Sequence, residues 1–174
     1  SSAASDVYKR QVYTLSPGAD FNRKSKKDFN LLLSKFNFAI DKGFSEVGLL
    51  FDDIDVNNIG IESDDKDLGK FHGELISEVT TKLGLSNGWF CPSIYCESFS
   101  KKGIQNDKYL EGVSETINND LFFLWTGPKV ISDFISQDHL KELGQVIKNP
   151  VVIWDNFYAN DYCPTRLFLS LIHI

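Results

Sequence analysis

Apolar positions along the chain switch between two spacings. Val47, Gly48, Leu49, Leu50 and Phe51 form an unbroken apolar run, the signature of a strand covered on both faces. Before it, Phe29, Leu32, Leu33, Phe36, Ala39 and Ile40 recur at helical spacing, which predicts a helix over Lys26–Lys42 stopped by Gly43. After it, Leu68, Phe71, Leu75, Val79 and Leu83 predict a second helix ending before Gly84, preceded by a polar loop over Asn57–Asp67. The same alternation continues. Val12–Leu15, Trp89–Tyr95, Leu121–Trp125 and Val151–Trp154 read as strands, and the stripes Leu110, Val113, Ile117 and Leu140, Leu143, Ile147 as helices. Five strands and four connecting helices in strict alternation predict an α/β fold of βα units around a parallel sheet.

Each predicted strand finishes in polar or aromatic groups: Ser16, Asp52 with Asp53, Tyr95, Thr126, then Asp155 with Asn156. In parallel α/β proteins working groups collect past the carboxyl ends of the strands, and a barrel brings those ends together. The pattern predicts a polar pocket for a hydroxyl-rich ligand, with Tyr95 and Trp154 offering flat apolar faces. Neighbouring strand residues point to opposite faces, so Asp52 and Asp53 reach one ligand only if the backbone leaves strand geometry near Asp52. Two such carboxylates titrate as a pair, the proton-bearing partner being pushed upward.

The two ends are read apart from the rest. Asp6–Gln11 is DVYKRQ, encodable as GAT GTG TAT AAG AGA CAG; the reverse complement of those bases encodes LSLIHI, which is Leu169–Ile174. Inverted copies at opposite ends resemble a sequencing adapter read in frame. Residues 1–11 and 169–174 are therefore expected to be adapter-derived, leaving 12–168 as part of a catalytic barrel cut from a longer reading frame. With 42% hydrophobic and 13% aromatic residues the chain can bury a sizeable core. A formal net charge of −6 argues against binding nucleic acid or an anionic membrane, and no apolar run is long enough to span a bilayer. Cys91, Cys96 and Cys163 are too few for a disulfide framework and lack the spacing of a zinc site.

YTLSPG (Tyr13–Gly18), LLFDDID (Leu49–Asp55), FCPSIYC (Phe90–Cys96), WTGPKVIS (Trp125–Ser132) and VIWDNFYANDY (Val152–Tyr162) resemble successive blocks of the O-GlcNAcase catalytic domain, glycoside hydrolase family 84. They come in the family's order. The resemblance implies a (β/α)8 TIM barrel, of which these strands would be the third to seventh. It also implies retaining, substrate-assisted removal of β-linked N-acetylglucosamine from Ser/Thr of glycoproteins, without metal or cofactor. Asp52 would orient the sugar's 2-acetamido group and Asp53 would serve as general acid and base. Tyr95 would bind the acetamide or oxazoline, Trp154 would wall the acetamide pocket, and Asn156 would make an adjoining polar contact. Asp161 would bind the sugar's O4 and O6. Substrates would be O-GlcNAc-modified proteins or N-acetylglucosamine-bearing glycans. The absence of an N-x-[ST] sequon and the modest cysteine count lean toward a cytoplasmic or nuclear setting. The family's first-strand glycine motif, second-strand lysine and eighth strand have no counterpart here, so the chain alone is expected to be inactive and poorly stable.

Two rival readings remain at this level. Asp53-Ile54-Asp55-Val56 matches the DxDx[TV] pattern of magnesium-dependent phosphohydrolases, which would require a doubly wound sheet. A glycan-binding relative without turnover is the non-enzyme alternative. Asp64, Asp65 and Asp67 read as a solvated loop, Cys91 as a buried small hydrophobe, and His72 and His139 as surface or packing residues.

Overall fold

The computed structural model describes residues 11–17, 21–52 and 65–156. Five strands, β1 (Val12–Leu15), β2 (Glu46–Leu50), β3 (Trp89–Cys91), β4 (Phe122–Trp125) and β5 (Val151–Ile153), alternate with four helices. These are α1 (Lys26–Asp41), α2 (Asp65–Lys82), α3 (Lys108–Thr116) and α4 (Gln137–Val146). All strand pairs are parallel and the sheet order is β1-β2-β3-β4-β5. One apolar cluster joins Leu32 and Phe36 of α1, Ile76 and Val79 of α2, Leu110 and Val113 of α3 and Leu143 of α4 to Val47, Leu49, Phe90 and Phe123 of the sheet, so the connecting helices share one face, as crossovers of the usual right hand require. An order that never reverses has no switch point, so the described sheet is an arc of a βα barrel and not the doubly wound sheet of the phosphohydrolase alternative.

Helix starts follow local chemistry. The side-chain oxygens of Ser25, Asp107 and Ser136 accept from the main-chain N–H groups of Asp28, Leu110 and His139, satisfying donors that the first helical turn leaves free. Gly43 and Gly84, with φ of 99° and 67°, close α1 and α2 in the left-handed conformation that glycine adopts without strain. Two boundaries differ from the sequence expectation by more than one residue. The strand expected over Trp89–Tyr95 stops at Cys91, because Pro92 has no N–H to donate to the ladder, and the chain turns into a short 3-10 segment at Glu97–Phe99. Asp65 and Asp67 are not loop residues but occupy the first turn of α2, where carboxylates are favoured by the helix dipole.

The two faces of the sheet differ in cover. Val47, Leu49 and Phe51 after β2, Phe90 on β3, and Phe123 and Trp125 on β4 are fully buried against the helices. Phe51, Phe90 and Phe123 meet ring to ring across three strands at 5.8 Å. The alternate residues Leu50, Trp89, Phe122, Leu124 and Val152 are only half-buried, as expected of a barrel interior open on one side. On that face Trp89 donates its indole N–H to Glu46 Oε2 at 2.7 Å and packs on Phe122. Gly48 is paired with Trp89, and a Cβ there would lie 2.8 Å from both the Trp89 Cβ and the Trp89 carbonyl oxygen, so a larger residue would push β2 and β3 apart.

Helices α2 and α3 approach closely through glycines. A Cβ on Gly69 would fall 2.0 Å from the Tyr109 carbonyl oxygen, and one on Gly112 2.1 Å from that of Lys66. Lys66, Lys70 and Lys108 pair with Glu111 and Glu115 along the rim of this contact. The Lys108 and Lys66 hydrogen bonds hold the Glu111 carboxyl down to about 2.

Candidate active site

The strand tips expected to carry chemistry lie together at the carboxyl end of the sheet. Strand β2 ends at Leu50; Phe51 keeps one ladder bond, its N–H to the Cys91 carbonyl at 2.9 Å, and Asp52 then enters a turn. The chain therefore leaves strand geometry at Asp52. Asp52 is half-buried. Asp53 and Asp161 lie outside the described residues.

The backbone just before Asp52 is gripped by a closed circuit of side chains. Ser93 Oγ donates to the Phe51 carbonyl at 2.8 Å. The Ser93 N–H donates to the Tyr109 hydroxyl at 3.0 Å, and that hydroxyl lies 2.9 Å from His72 Nδ1. An N–H can only donate, so the phenol accepts from Ser93, and the imidazole tautomer sets which atom donates between the phenol and Nδ1. Burial pushes the His72 pKa down to about 3 and the Tyr109 pKa up, so both groups stay neutral across ordinary pH. The imidazole stacks on the Phe51 ring at 3.8 Å and closes the loop. Of the surface or packing places expected for His72 and His139, both take the buried one, and Cys91 and Cys96 are likewise buried, with free thiols.

A second group of candidates meets around the turn after β4. The ring centroids of Tyr95 and Trp154 lie 6.1 Å apart with the planes tilted by 41°, and both residues are half-buried. Tyr95 also meets the half-exposed Phe99 edge-on at 5.0 Å. Thr126 holds the Tyr95 carbonyl through its N–H at 2.9 Å and its hydroxyl at 3.3 Å, while Trp154 N–H donates to the Trp125 carbonyl at 2.9 Å. Asn156 is half-buried, and its amide donates to the Val130 carbonyl at 3.2 Å, which commits one hydrogen to the loop after β4. Asp52, Tyr95, Trp154 and Asn156 thus all lie at strand ends on one rim. Among the described residues no cluster of three or more His, Cys, Asp or Glu could hold a metal ion, and no helix is long and apolar enough to cross a membrane.

A family model described as beta-N-acetylglucosaminidase matches residues 2–173. The chain belongs to that family. The match runs through both terminal stretches set apart on their codons. Among relatives of this β-N-acetylglucosaminidase family member, the Protein O-GlcNAcase of Rattus norvegicus is 36% identical over 173 residues, covering 97% of this chain and 19% of the rat protein. The chain therefore spans only a small part of that relative's length. An O-GlcNAc hydrolase of Thermobaculum terrenum superposes with a TM-score of 0.68 at 21% identity, over 86% of this chain and 32% of its own. CpGH84B superposes with a TM-score of 0.72 at 23% identity, over 87% of this chain and 26% of its own. At those identities the superpositions speak for the fold, and they agree with the barrel arc described above.

Sequence reasoning missed Ser93, Tyr109, Glu97 and the specific partners of His72 and His139. Ser93 lies in a block that was noticed for its tyrosine. Tyr109 stands one residue before the Leu110, Val113, Ile117 stripe, and spacing shows a buried face but not which buried residue carries a bonded hydroxyl.

Proposed function

We propose that this chain is the middle of a catalytic barrel that removes β-linked N-acetylglucosamine from Ser/Thr of glycoproteins by a retaining, substrate-assisted route. The reading rests above all on the Tyr95–Trp154 ring pair standing on the same rim as the β2 terminus that delivers Asp52. Family membership and the name of the rat relative support the same substrate class.

In this reading the sugar's acetamide lies against Trp154 and Tyr95. Asp52 accepts the acetamide N–H, turning the carbonyl oxygen toward the anomeric carbon. That oxygen forms a bond to C1 as the glycosidic bond breaks, and the departing Ser/Thr oxygen takes a proton from Asp53. The oxazoline then opens when water attacks C1, its proton passing to Asp53. Intramolecular attack from a held geometry removes roughly 7–11 kcal/mol of barrier in well-oriented cases. Acid–base transfer contributes about 10²- to 10⁴-fold. Asn156 and Asp161 bind the sugar's remaining polar groups. A carboxylate on O4 and O6 penalises sugars that leave it unpaired.

The test is made in the complete catalytic domain carrying this chain. Asp53→Asn is expected to lose turnover of substrates with poor leaving groups far more than of activated aryl glycosides, and to lose the limb of the pH–rate profile that reports the acid. Asp52→Asn is expected to slow both substrate types. Normal release of N-acetylglucosamine with both residues changed to asparagine overturns the mechanism. Binding of the sugar with no turnover by the unmutated domain establishes the glycan-binding alternative instead.

The remaining sequence expectations stand as parts of the proposal. A cytoplasmic or nuclear location is checked by fractionating cells that express the complete protein. The adapter origin of residues 1–11 and 169–174 is checked by resequencing the locus from outside primers; DVYKRQ and LSLIHI in the native gene would refute it.

A further inference from the structure

His139 sits on α4, on the covered side of the sheet, where it cannot touch a sugar, yet its two ring nitrogens tie together the elements that hold Tyr95 and Trp154. Trp125 Nε1 donates to His139 Nε2 at 2.9 Å, and the two rings stack at 6.1 Å. An indole nitrogen only donates, so Nε2 is the accepting nitrogen and Nδ1 bears the hydrogen. That hydrogen points to Glu97 Oε2, 3.2 Å away. Trp125 is fully buried, and its main-chain carbonyl receives the N–H of Trp154. Glu97 stands two residues past Tyr95, and its N–H donates to the Gly127 carbonyl at 3.0 Å, with Ser98 N–H to the Pro128 carbonyl at 3.0 Å. The imidazole therefore joins the strand that anchors one aromatic wall to the segment that carries the other.

We propose that His139 and Glu97 are positioning residues for the Tyr95–Trp154 wall, and that their bridge from Trp125 sets how strictly the pocket discriminates an N-acetyl group from a longer N-acyl group. This rests on the acetamide-pocket role proposed above. Each nitrogen of a buried imidazole needs a partner. Here both are used, and the carboxylate partner comes from the substrate side of the fold, on a side chain 39% exposed. A pocket fitted to a methyl group discriminates against an added methylene by ~10- to 200-fold only while its walls cannot give way. Without the bridge, the Tyr95 segment loses a side-chain tether and the buried Trp125 indole loses its acceptor, so the gap between the rings can widen.

The test is the ratio of kcat/KM for N-acetyl and N-butanoyl aryl glucosaminides, measured on one preparation of the complete catalytic domain. Because both constants come from the same sample, the fraction of folded enzyme cancels. Glu97→Ala and His139→Leu are expected to lower the acetyl preference by ~3- to 10-fold. Glu97→Gln and His139→Gln, which keep an acceptor and a bridge of similar reach, are expected to stay near the parent ratio. Trp154→Ala serves as the reference for an open wall. If Trp154→Ala relaxes the preference while Glu97→Ala and His139→Leu do not, the bridge has no positioning role and this inference falls alone. If Trp154→Ala also leaves the ratio unchanged, the acetamide-pocket reading falls and takes the inference with it.

Discussion

Tyr109→Phe removes one oxygen from a side chain that is only 3% exposed, and the structure sets what that oxygen was holding. The Ser93 N–H loses its acceptor and His72 Nδ1 loses its hydrogen-bond partner. His72 is buried, so that nitrogen has no ready substitute. A buried polar group left without its partner costs about 1–3 kcal/mol, and two of them bring the expected loss to roughly 2–4 kcal/mol, since Ser93 is half-buried and water recovers part of it. The benzene ring itself is kept, so no cavity opens. The effect on chemistry follows from Ser93 Oγ, which holds the carbonyl of Phe51, the residue before Asp52. With Asp52 in the role proposed above, slack of about 1 Å there is worth on the order of 10²-fold in rate. Urea unfolding of the complete catalytic domain gives the first quantity, and kcat per titrated active site gives the second. A variant within about 0.5 kcal/mol of the parent and with unchanged kcat would show that the circuit grips nothing.

Other substitutions separate packing from chemistry. Gly112→Ala places a methyl 2.1 Å from the Lys66 carbonyl, so α2 and α3 must part; the overpacking cost of about 1–3 kcal/mol exceeds the gain in helix propensity, and the urea midpoint falls. Gly144→Ala on α4, with nothing within 4 Å, is the control and is expected to stabilise by up to ~1 kcal/mol. His72 supplies a pH test. Its folded pKa of about 3 lies below the unfolded 6.5, so the unfolded state binds the proton first; stability is intact above pH 6.5 and falls as pH drops toward 3. Between pH 6.5 and about 4 that amounts to roughly 3 kcal/mol, which His72→Gln should abolish, as urea midpoints across the range would reveal. Finally, residues 12–168 alone should release no N-acetylglucosamine and should bind a hydrophobic dye, because β1 and β5 are open edges of the described sheet and its uncovered face is half-exposed.

Much of the architecture was already written in local pattern. Unbroken apolar runs marked β2 and β5, helical spacing marked α1 and α2, and Gly43 and Gly84 marked their ends, because these features depend on residues a few positions apart. What the sequence could not determine is which buried polar groups find each other. Tyr109 and His72 are 37 residues apart, Phe51 and Ser93 42, and Trp125 and His139 14, and no periodicity links them. Strand order also belongs to tertiary structure: alternation of strands and helices suits a barrel and a doubly wound sheet equally, and only the unreversed order β1 to β5, with every helix on one face, chose between them.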